Sequence, residues 1–173
     1  MRLLEVRRHS MRAMPGQHLT QAGVDLARRI GSTLRPFDRV VTSTLPRAFE
    51  TAIAMGFAVH EQLDQFSTMD SAVDTEINWD AGFAEWARVI KQGGAALRFA
   101  QAQADILRSI VRLLPDAGRA LVVSHGGIVE AGTLGCLLPD IPPVAGDYCS
   151  YCEGVRLAFE GERVVKFEIV RAV

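Results

Sequence analysis

Cysteine is scarce in this chain of 173 residues, which has only Cys136, Cys149 and Cys152. An odd number of cysteines argues against the disulfide framework that staples small secreted domains. Cys149 and Cys152 form an isolated C-x-x-C pair, whereas a zinc site needs a second pair of ligands at suitable spacing. The sequence therefore predicts neither a disulfide scaffold nor a zinc centre, and it leaves a redox role of the pair open.

The chain also lacks an excess of either charge and any long apolar run. It has 19 Lys and Arg against 20 Asp and Glu, a formal net charge of −1, so bulk attraction to nucleic acid or to an anionic membrane is not indicated. No apolar run approaches the roughly 20 residues of a membrane span. The charged Arg7-Arg8-His9 comes too early for the apolar region of a signal peptide. We therefore expect a cytoplasmic protein that binds neither nucleic acid nor membranes.

Apolar patterning predicts an α/β fold in a single domain over residues 1–173. Buried-strand runs are predicted at 2–8, 38–42 and 119–124, with a shorter strand at 57–60. Helices are predicted over about 20–34, 45–55, 95–114 and 127–138, and the tail alternates as a hairpin. Residues 61–95 are predicted as an irregular excursion over the sheet edge, partly helical from about residue 81, with Trp79, Phe83 and Trp86 as local core.

Polar groups follow the three main strands. Arg8 and His9 close the first strand, and Arg47 comes shortly after the second. His125 and Gly126 follow the third, at the start of a predicted helix. Ligands of open α/β sheets bind at the carboxyl ends of the strands, so we expect these groups to converge. Two arginine forks and a helix N-terminus suit a tetrahedral oxyanion, phosphate above all.

His9 is the candidate nucleophile of this predicted phosphate pocket. A neutral imidazole can attack phosphorus and carry the phosphoryl group as a covalent intermediate. Arg8 and Arg47 would then neutralise the charge that develops on the equatorial oxygens. A Walker A motif is missing, so nucleotide-driven phosphoryl transfer has no support.

Four short motifs stand at these strand ends and helix starts. They are Arg8-His9-Ser10, Leu19-Thr20-Gln21-Ala22-Gly23, the segment from Ser43 to Ala52 with the pattern Ser-x-Leu-x-Arg-Ala-x-x-Thr-Ala, and Ser124-His125-Gly126-Gly127. In this order they resemble the motifs of the histidine phosphatase (phosphoglycerate mutase-like) superfamily. The resemblance covers residues 3–135. Each motif alone is a weak pattern, but four in the family's order are a strong signal.

The resemblance implies a three-layer α/β/α sandwich with a mostly parallel sheet and a phosphatase that needs no metal or cofactor. By position, His9 resembles the phosphorylated nucleophile. Arg8, Arg47 and His125 resemble the rest of the phosphate pocket, and Gly126 lies in the substrate-binding motif. Ser10 replaces the usual Gly, and we expect its hydroxyl to be tolerated and to contact phosphate.

A second departure concerns the proton donor. Many family members carry Leu-x-Glu, in which the Glu protonates the leaving oxygen. Here the nearest match is Leu63-Asp64-Gln65, and Gln65 cannot act as an acid. Asp64 is therefore the first candidate, and the alternatives are Asp70, Asp74, Glu76 or no dedicated acid.

The resemblance predicts a phosphatase acting on a small phosphorylated metabolite or on phosphohistidine in a protein. The chain is compact and has a short run between His9 and Thr20, which favours compact phosphatases over mutases. A phosphate- or phosphoprotein-binding module that keeps the pocket without turnover is the alternative. A phosphoglycerate mutase is a third, weaker possibility, and the oligomeric state is not predicted.

Overall fold

A computed structural model describes residues 1–143 and 146–172, and its centre is a six-stranded sheet. The strands are β1 (Arg2–Arg8), β2 (Arg39–Thr42), β3 (Glu61–Gln62), β4 (Arg119–Ser124), β5 (Gly154–Glu160) and β6 (Arg163–Val170). Their order across the sheet is β3-β2-β4-β1-β5-β6. The first four strands in this order run parallel, and β5 and β6 add antiparallel pairings. The predicted mostly parallel sheet and terminal hairpin are confirmed.

Six helices are found in the described ranges. They are α1 (Gln21–Gly31), α2 (Pro46–Ala54), α3 (Ser71–Asp74), α4 (Phe83–Lys91), α5 (Gly94–Arg112) and α6 (Ile128–Leu137), with a short 3-10 turn at Asp64–Phe66. Within those ranges, no helix is both long enough and apolar enough to cross a lipid bilayer.

Two cores on opposite faces of the sheet give the fold its three layers. Buried residues of α1 and α2 pack with Val40, Leu121 and Val123. Buried residues of α4, α5 and α6 pack with Val41 and Val122 on the other side. Because consecutive strand residues face opposite sides of a sheet, this alternation confirms the predicted α/β/α sandwich.

Strand register brings the carboxyl ends of β1, β2 and β4 together. Arg8 lies opposite Ser124, and Thr42 lies opposite Val123. The backbone N–H of His9 donates to the Ser124 carbonyl at 2.8 Å, which continues the pairing one residue further. The residues that follow these three strands are therefore neighbours at one edge of the sheet.

The predicted strand at residues 57–60 is wrong. The strand at that edge is β3, which pairs with Val41 and Thr42 of β2. Phe57 and Val59 instead pack against the core beneath α1 and α2. Their apolar character reflects that packing and not a place in the sheet.

The excursion over residues 61–95 differs from the prediction in one aromatic residue. Phe83 and Trp86 are fully buried, as predicted, but the Trp79 side chain is 39% exposed. Trp79 precedes α4 in a loop, so it is not held in the core by that helix.

Candidate active site

His9 lies directly after β1 and is only 5% exposed. Its Nδ1 is 2.7 Å from the carbonyl oxygen of Ser10. Because a carbonyl oxygen can only accept, Nδ1 carries the hydrogen. Nε2 lies 3.1 Å from Nε of Arg47, which can only donate, so Nε2 holds a lone pair. The ring is therefore neutral, and its Nε2 lone pair faces the Arg47 guanidinium.

Arg47 joins the two histidines of the site. It lies in the first turn of α2, directly after Pro46, whose fixed backbone angle suits a helix start. Its Nε donates to Nε2 of His9 at 3.1 Å and to Nδ1 of His125 at 3.2 Å. Its Nη1 donates to Oε1 of Gln17. The structure thus brings His9, Arg47 and His125 together.

His125 is fixed from the side opposite Arg47. Its Nδ1 faces the Arg47 donor, so Nε2 carries the hydrogen and donates to Oγ of Ser43 at 2.7 Å. The ring is 5% exposed. Ser43 follows β2 and His125 follows β4, so this hydrogen bond locks the two strand ends to each other.

Both imidazoles are held in their neutral form. Burial is the main cause that lowers the pKa of His9 to about 3 and the pKa of His125 to about 2, and the charges of Arg47, Arg8 and Arg12 lower both further. Burial and the charges of Arg12 and Arg8 also lower the pKa of Arg47. Positive charge therefore converges on a largely buried pocket, an environment that favours an anion.

Arg8 is the second arginine at this edge, and it rests against Gly126. A Cβ on Gly126 would lie 3.0 Å from Nη1 of Arg8 and 3.1 Å from Cζ, so glycine leaves the guanidinium its place. Nη1 donates to the carbonyl oxygen of Cys149 at 3.0 Å. Among the described residues, the buried Nε of Arg8 has no hydrogen-bond partner, so this donor is available to a ligand.

The Ser10 hydroxyl was expected to contact phosphate, but the structure shows it bonded within the protein. It donates to the Gly23 carbonyl of α1 at 2.7 Å. The Ser10 N–H donates to Oγ1 of Thr51 at 2.8 Å, and the Thr51 hydroxyl donates to the Arg47 carbonyl at 2.6 Å. Ser10 therefore ties the loop after His9 to α1 and α2. Thr51, for which the sequence analysis predicted no role, completes that connection.

Three of the four carboxyl groups considered as proton donors either bind the start of a helix or are exposed in a short one. Asp70 is the N-cap of α3, and its Oδ1 accepts from an N–H of that helix at 2.9 Å. Asp74 is exposed within α3. Glu76 accepts from two N–H groups at the start of α5, at 2.8 Å each, and these bonds lower its pKa. Asp70 and Glu76 thus have a structural role at a helix start.

Two other carboxyl groups lie nearer to the site. Oδ1 of Asp64 accepts from Oγ1 of Thr44 at 3.0 Å, one residue after Ser43. Oδ1 of Asp80 lies 3.9 Å from Nη1 of Arg8, and its side chain is 65% exposed. Asp80 is not among the predicted proton donors, because nothing in its local pattern shows that its loop meets the end of β1.

Glu130 is a buried residue of the site that the sequence did not single out. It is completely buried in the first turn of α6. Its Oε2 accepts from the N–H of Gly127 at 2.7 Å, and its Oε1 accepts from the N–H of Cys149 at 2.7 Å. Burial raises the pKa of Glu130, and the two amide bonds oppose part of that rise. Glu130 thus joins α6 to the segment whose carbonyl binds Arg8, and it takes the Gly127 N–H that an anion at this helix start would otherwise use.

The three cysteines are free thiols, and all are buried. Burial raises the pKa of Cys136 to about 12 and also raises the pKa of Cys149 and Cys152. The thiols are therefore protonated at neutral pH, and a thiol in that form is a poor nucleophile and metal ligand. Within residues 1–143 and 146–172, no group of three or more His, Cys, Asp or Glu side chains could hold a metal ion.

Comparison with known proteins gives a family match and a set of similar structures. The sequence profile of the histidine phosphatase superfamily (branch 1) matches residues 5–168. No curated protein matches this chain in sequence.

Three solved structures illustrate the structural similarity. A mycobacterial glucosyl-3-phosphoglycerate phosphatase is 20% identical, with a TM-score of 0.70 over 100% of both chains. A phosphoserine phosphatase from Entamoeba histolytica is 17% identical, with a TM-score of 0.65 over 96% of both chains. The protein histidine phosphatase SixA is 15% identical, with a TM-score of 0.60 over 98% of this chain and 97% of its own. At these identities the structures establish the fold.

Proposed function

Because the chain belongs to branch 1 of the histidine phosphatase superfamily, we propose that it hydrolyses phosphate monoesters through a phosphoryl group carried on Nε2 of His9. The observation that carries this proposal is the neutral His9 ring, whose Nε2 lone pair lies 3.1 Å from Nε of Arg47. A phosphate bound by this guanidinium would have its phosphorus beside that lone pair. The substrate is a phosphorylated small molecule or a phosphoprotein, such as one carrying phosphohistidine.

The proposed reaction has two steps. In the first step, Nε2 of His9 forms a bond to phosphorus as the bond from phosphorus to the leaving oxygen breaks, and that oxygen takes a proton from a carboxyl group beside the site. In the second step, water gives a proton back to that carboxylate as its oxygen bonds to phosphorus, the phosphorus–nitrogen bond breaks, and inorganic phosphate leaves. Arg8 and Arg47 stabilise the charge on the transferring group in both steps. No metal ion or cofactor takes part in this proposal.

We assign the proton donor to Asp80 in place of Asp64. Support comes from the 3.9 Å separation of the Asp80 carboxylate and the Arg8 guanidinium, which places Asp80 beside the group that would hold phosphate. The Asp64 carboxylate instead accepts a hydrogen bond from Thr44. A proton donor must reach the leaving oxygen directly or through one water, and the position of Asp80 beside Arg8 supports this assignment.

The central experiment is p-nitrophenyl phosphate hydrolysis in the presence of EDTA, with wild-type protein and His9→Ala. We expect the wild type to turn over and the variant to lose about 1,000-fold or more in kcat. His60→Ala is the matched control, because His60 is exposed and accepts a hydrogen bond from the Val40 N–H in the middle of β2, away from the carboxyl end of the strand. A folded wild type without activity would refute hydrolysis and leave the phosphate-binding module. Equal activity of wild type and His9→Ala would refute the phosphohistidine intermediate.

Asp80→Asn tests the proton donor. An activated aryl leaving group needs little protonation, whereas an alkyl leaving group needs it fully. We therefore expect kcat for an alkyl phosphate to fall by about 100-fold or more, with a much smaller loss for p-nitrophenyl phosphate. Asp64→Asn is the matched control. If Asp64→Asn shows this selective loss and Asp80→Asn does not, the assignment is wrong.

A further inference from the structure

Two tyrosine rings lie beside the guanidinium of Arg8, and a tryptophan lies beside the glycine pair that follows β4. Cζ of Arg8 lies 5.2 Å from the ring centroid of Tyr151 and 5.8 Å from that of Tyr148. The Tyr151 ring is also 5.9 Å from the ring of His9. Trp79 joins them from another part of the chain, because a Cβ on Gly127 would lie 3.4 Å from its Cε3 atom. We name Trp79, Tyr148 and Tyr151 the aromatic rim.

The rim is formed by two segments that meet beside the site. A Cβ on Gly82 would lie 2.8 Å from the Gly146 carbonyl oxygen and 3.4 Å from Cα of Asp147. The loop before α4 therefore packs directly on the segment before β5. This contact joins the segment that carries Trp79 to the segment that carries Tyr148.

The rim is partly open to solvent, although its residues are large and apolar. Trp79 is 39% exposed and Tyr148 is 37% exposed, while the neighbouring His9 and His125 are 5% exposed. Exposed aromatic surface beside a buried, positively charged group offers an apolar contact to the part of a ligand that lies outside the anion site.

The shape of the rim side chains restricts what they can bind. Flat rings gain from aromatic pairing with Trp and Tyr in a way that puckered aliphatic rings do not.

We propose that the aromatic rim binds the leaving group, and that the substrate is a phosphoryl group carried on a planar aromatic or heteroaromatic ring. Such a group could come from a small aryl phosphate or from a ring in a protein side chain. The inference rests on the proposed function for the position of the phosphoryl group, which sits between Arg8 and Arg47. The rim then adds selectivity for the ring that the phosphoryl group leaves.

The first test measures binding without turnover. Phenylphosphonate and cyclohexylphosphonate have rings of similar size, but only the first ring is flat, and neither is a substrate. By calorimetry we expect phenylphosphonate to bind about three- to tenfold more tightly, the range expected for an aromatic pair. Equal affinity would overturn the proposal. Because no hydrolysis is measured, this result is independent of whether the protein is a phosphatase.

Variants assign the preference to the rim. Trp79→Ala and Tyr148→Ala should each weaken phenylphosphonate binding by about three- to tenfold, with little change for inorganic phosphate. Phe49→Ala is the matched control, because Phe49 is an aromatic residue of α2 with the same 37% exposure as Tyr148. An equal loss of phosphate affinity in the two rim variants would overturn the proposal, because it would show that the rim only supports Arg8.

Turnover then distinguishes the source of the ring. Phenyl phosphate and a neutral capped peptide with one phosphotyrosine are compared by kcat/KM, with phosphoserine as the anionic alkyl reference. Higher kcat/KM for phenyl phosphate indicates a small-molecule source, and higher kcat/KM for the peptide indicates a protein source. If phosphoserine is preferred over both, the assignment of a ring-borne substrate is wrong.

Discussion

Gly126→Ala is a sharp test of how Arg8 is positioned. The added Cβ would lie 3.0 Å from Nη1, 3.1 Å from Cζ and 3.3 Å from Nε of Arg8. Carbon atoms and guanidinium atoms in ordinary contact are about 3.5 Å apart. The guanidinium must therefore move by about 0.5 Å, because the alternative is to displace the backbone at the junction of β4 and α6.

The expected effect on catalysis follows from that displacement. A misplacement of about 1 Å in a group that orients substrate can cost about 100-fold in rate, so about 0.5 Å should cost about tenfold. Arg8 also donates to the Cys149 carbonyl at 3.0 Å, and the shift would strain this bond. We expect kcat/KM for p-nitrophenyl phosphate to fall about tenfold, with the thermal midpoint within about 3 °C of the wild type.

Gly132→Ala is the matched control. Its Cβ would lie 3.0 Å from Cδ1 of Leu107 within the core between α5 and α6, and it touches nothing in the site. This variant should change the thermal midpoint but leave kcat/KM unchanged. If Gly126→Ala has wild-type kinetics, Arg8 does not depend on Gly126 for its position, and the reasoning fails.

Glu130→Gln should lower the thermal midpoint and raise the inhibition constant of inorganic phosphate. The amide NH2 of Gln would face a backbone N–H that needs an acceptor, and losing that hydrogen bond would loosen the Cys149 segment that binds Arg8. Thr133→Val, one turn later in α6 and equally buried, should not alter phosphate inhibition, and the idea fails if the two variants behave alike. His125→Asn should reduce the loss of stability on acidification. The unfolded histidine gains a proton below about pH 6.5, whereas folded His125 stays neutral down to about pH 2, so the contribution is intact above pH 6.5 and lost as pH falls. From pH 7 to pH 5, the wild-type free energy of unfolding should fall by about 2 kcal/mol more than that of the variant, as measured with urea, and identical slopes would contradict the assignment.

The sheet and the convergence of the main site residues could be predicted from the sequence. Buried-strand runs and strand-end polar groups are local signals, and the carboxyl-edge rule places Arg8, His9, Arg47 and His125 at one edge. Arg8 ends β1, His9 and His125 directly follow β1 and β4, and Arg47 lies in the first turn of the helix after β2, so their places depend on short-range structure. The physical pattern and the family resemblance point to the same four residues.

Asp80 and the aromatic rim could not be predicted in the same way. Trp79 and Asp80 lie in a loop without periodicity, and only the tertiary packing of that loop brings Asp80 to Arg8 and Trp79 to Gly127. Apolar residues in such a stretch are predicted as core from their hydrophobicity alone, which explains why Trp79 was wrongly predicted to be buried. Glu130 did carry a local signal, since it stands three residues after Gly127, where a glutamate can reach back to the helix start.

The hydrogen bond from Nδ1 of His9 to the Ser10 carbonyl determines which chemical species would accumulate during turnover. With Nδ1 occupied, a transferred phosphoryl group can be attached only at Nε2, as a phosphoramidate. Phosphoramidates of this kind survive alkali but hydrolyse in acid. A phosphorylated form of this protein would therefore disappear in an acid quench or an acidic mass-spectrometry workflow, and it would be retained by an alkaline denaturing gel.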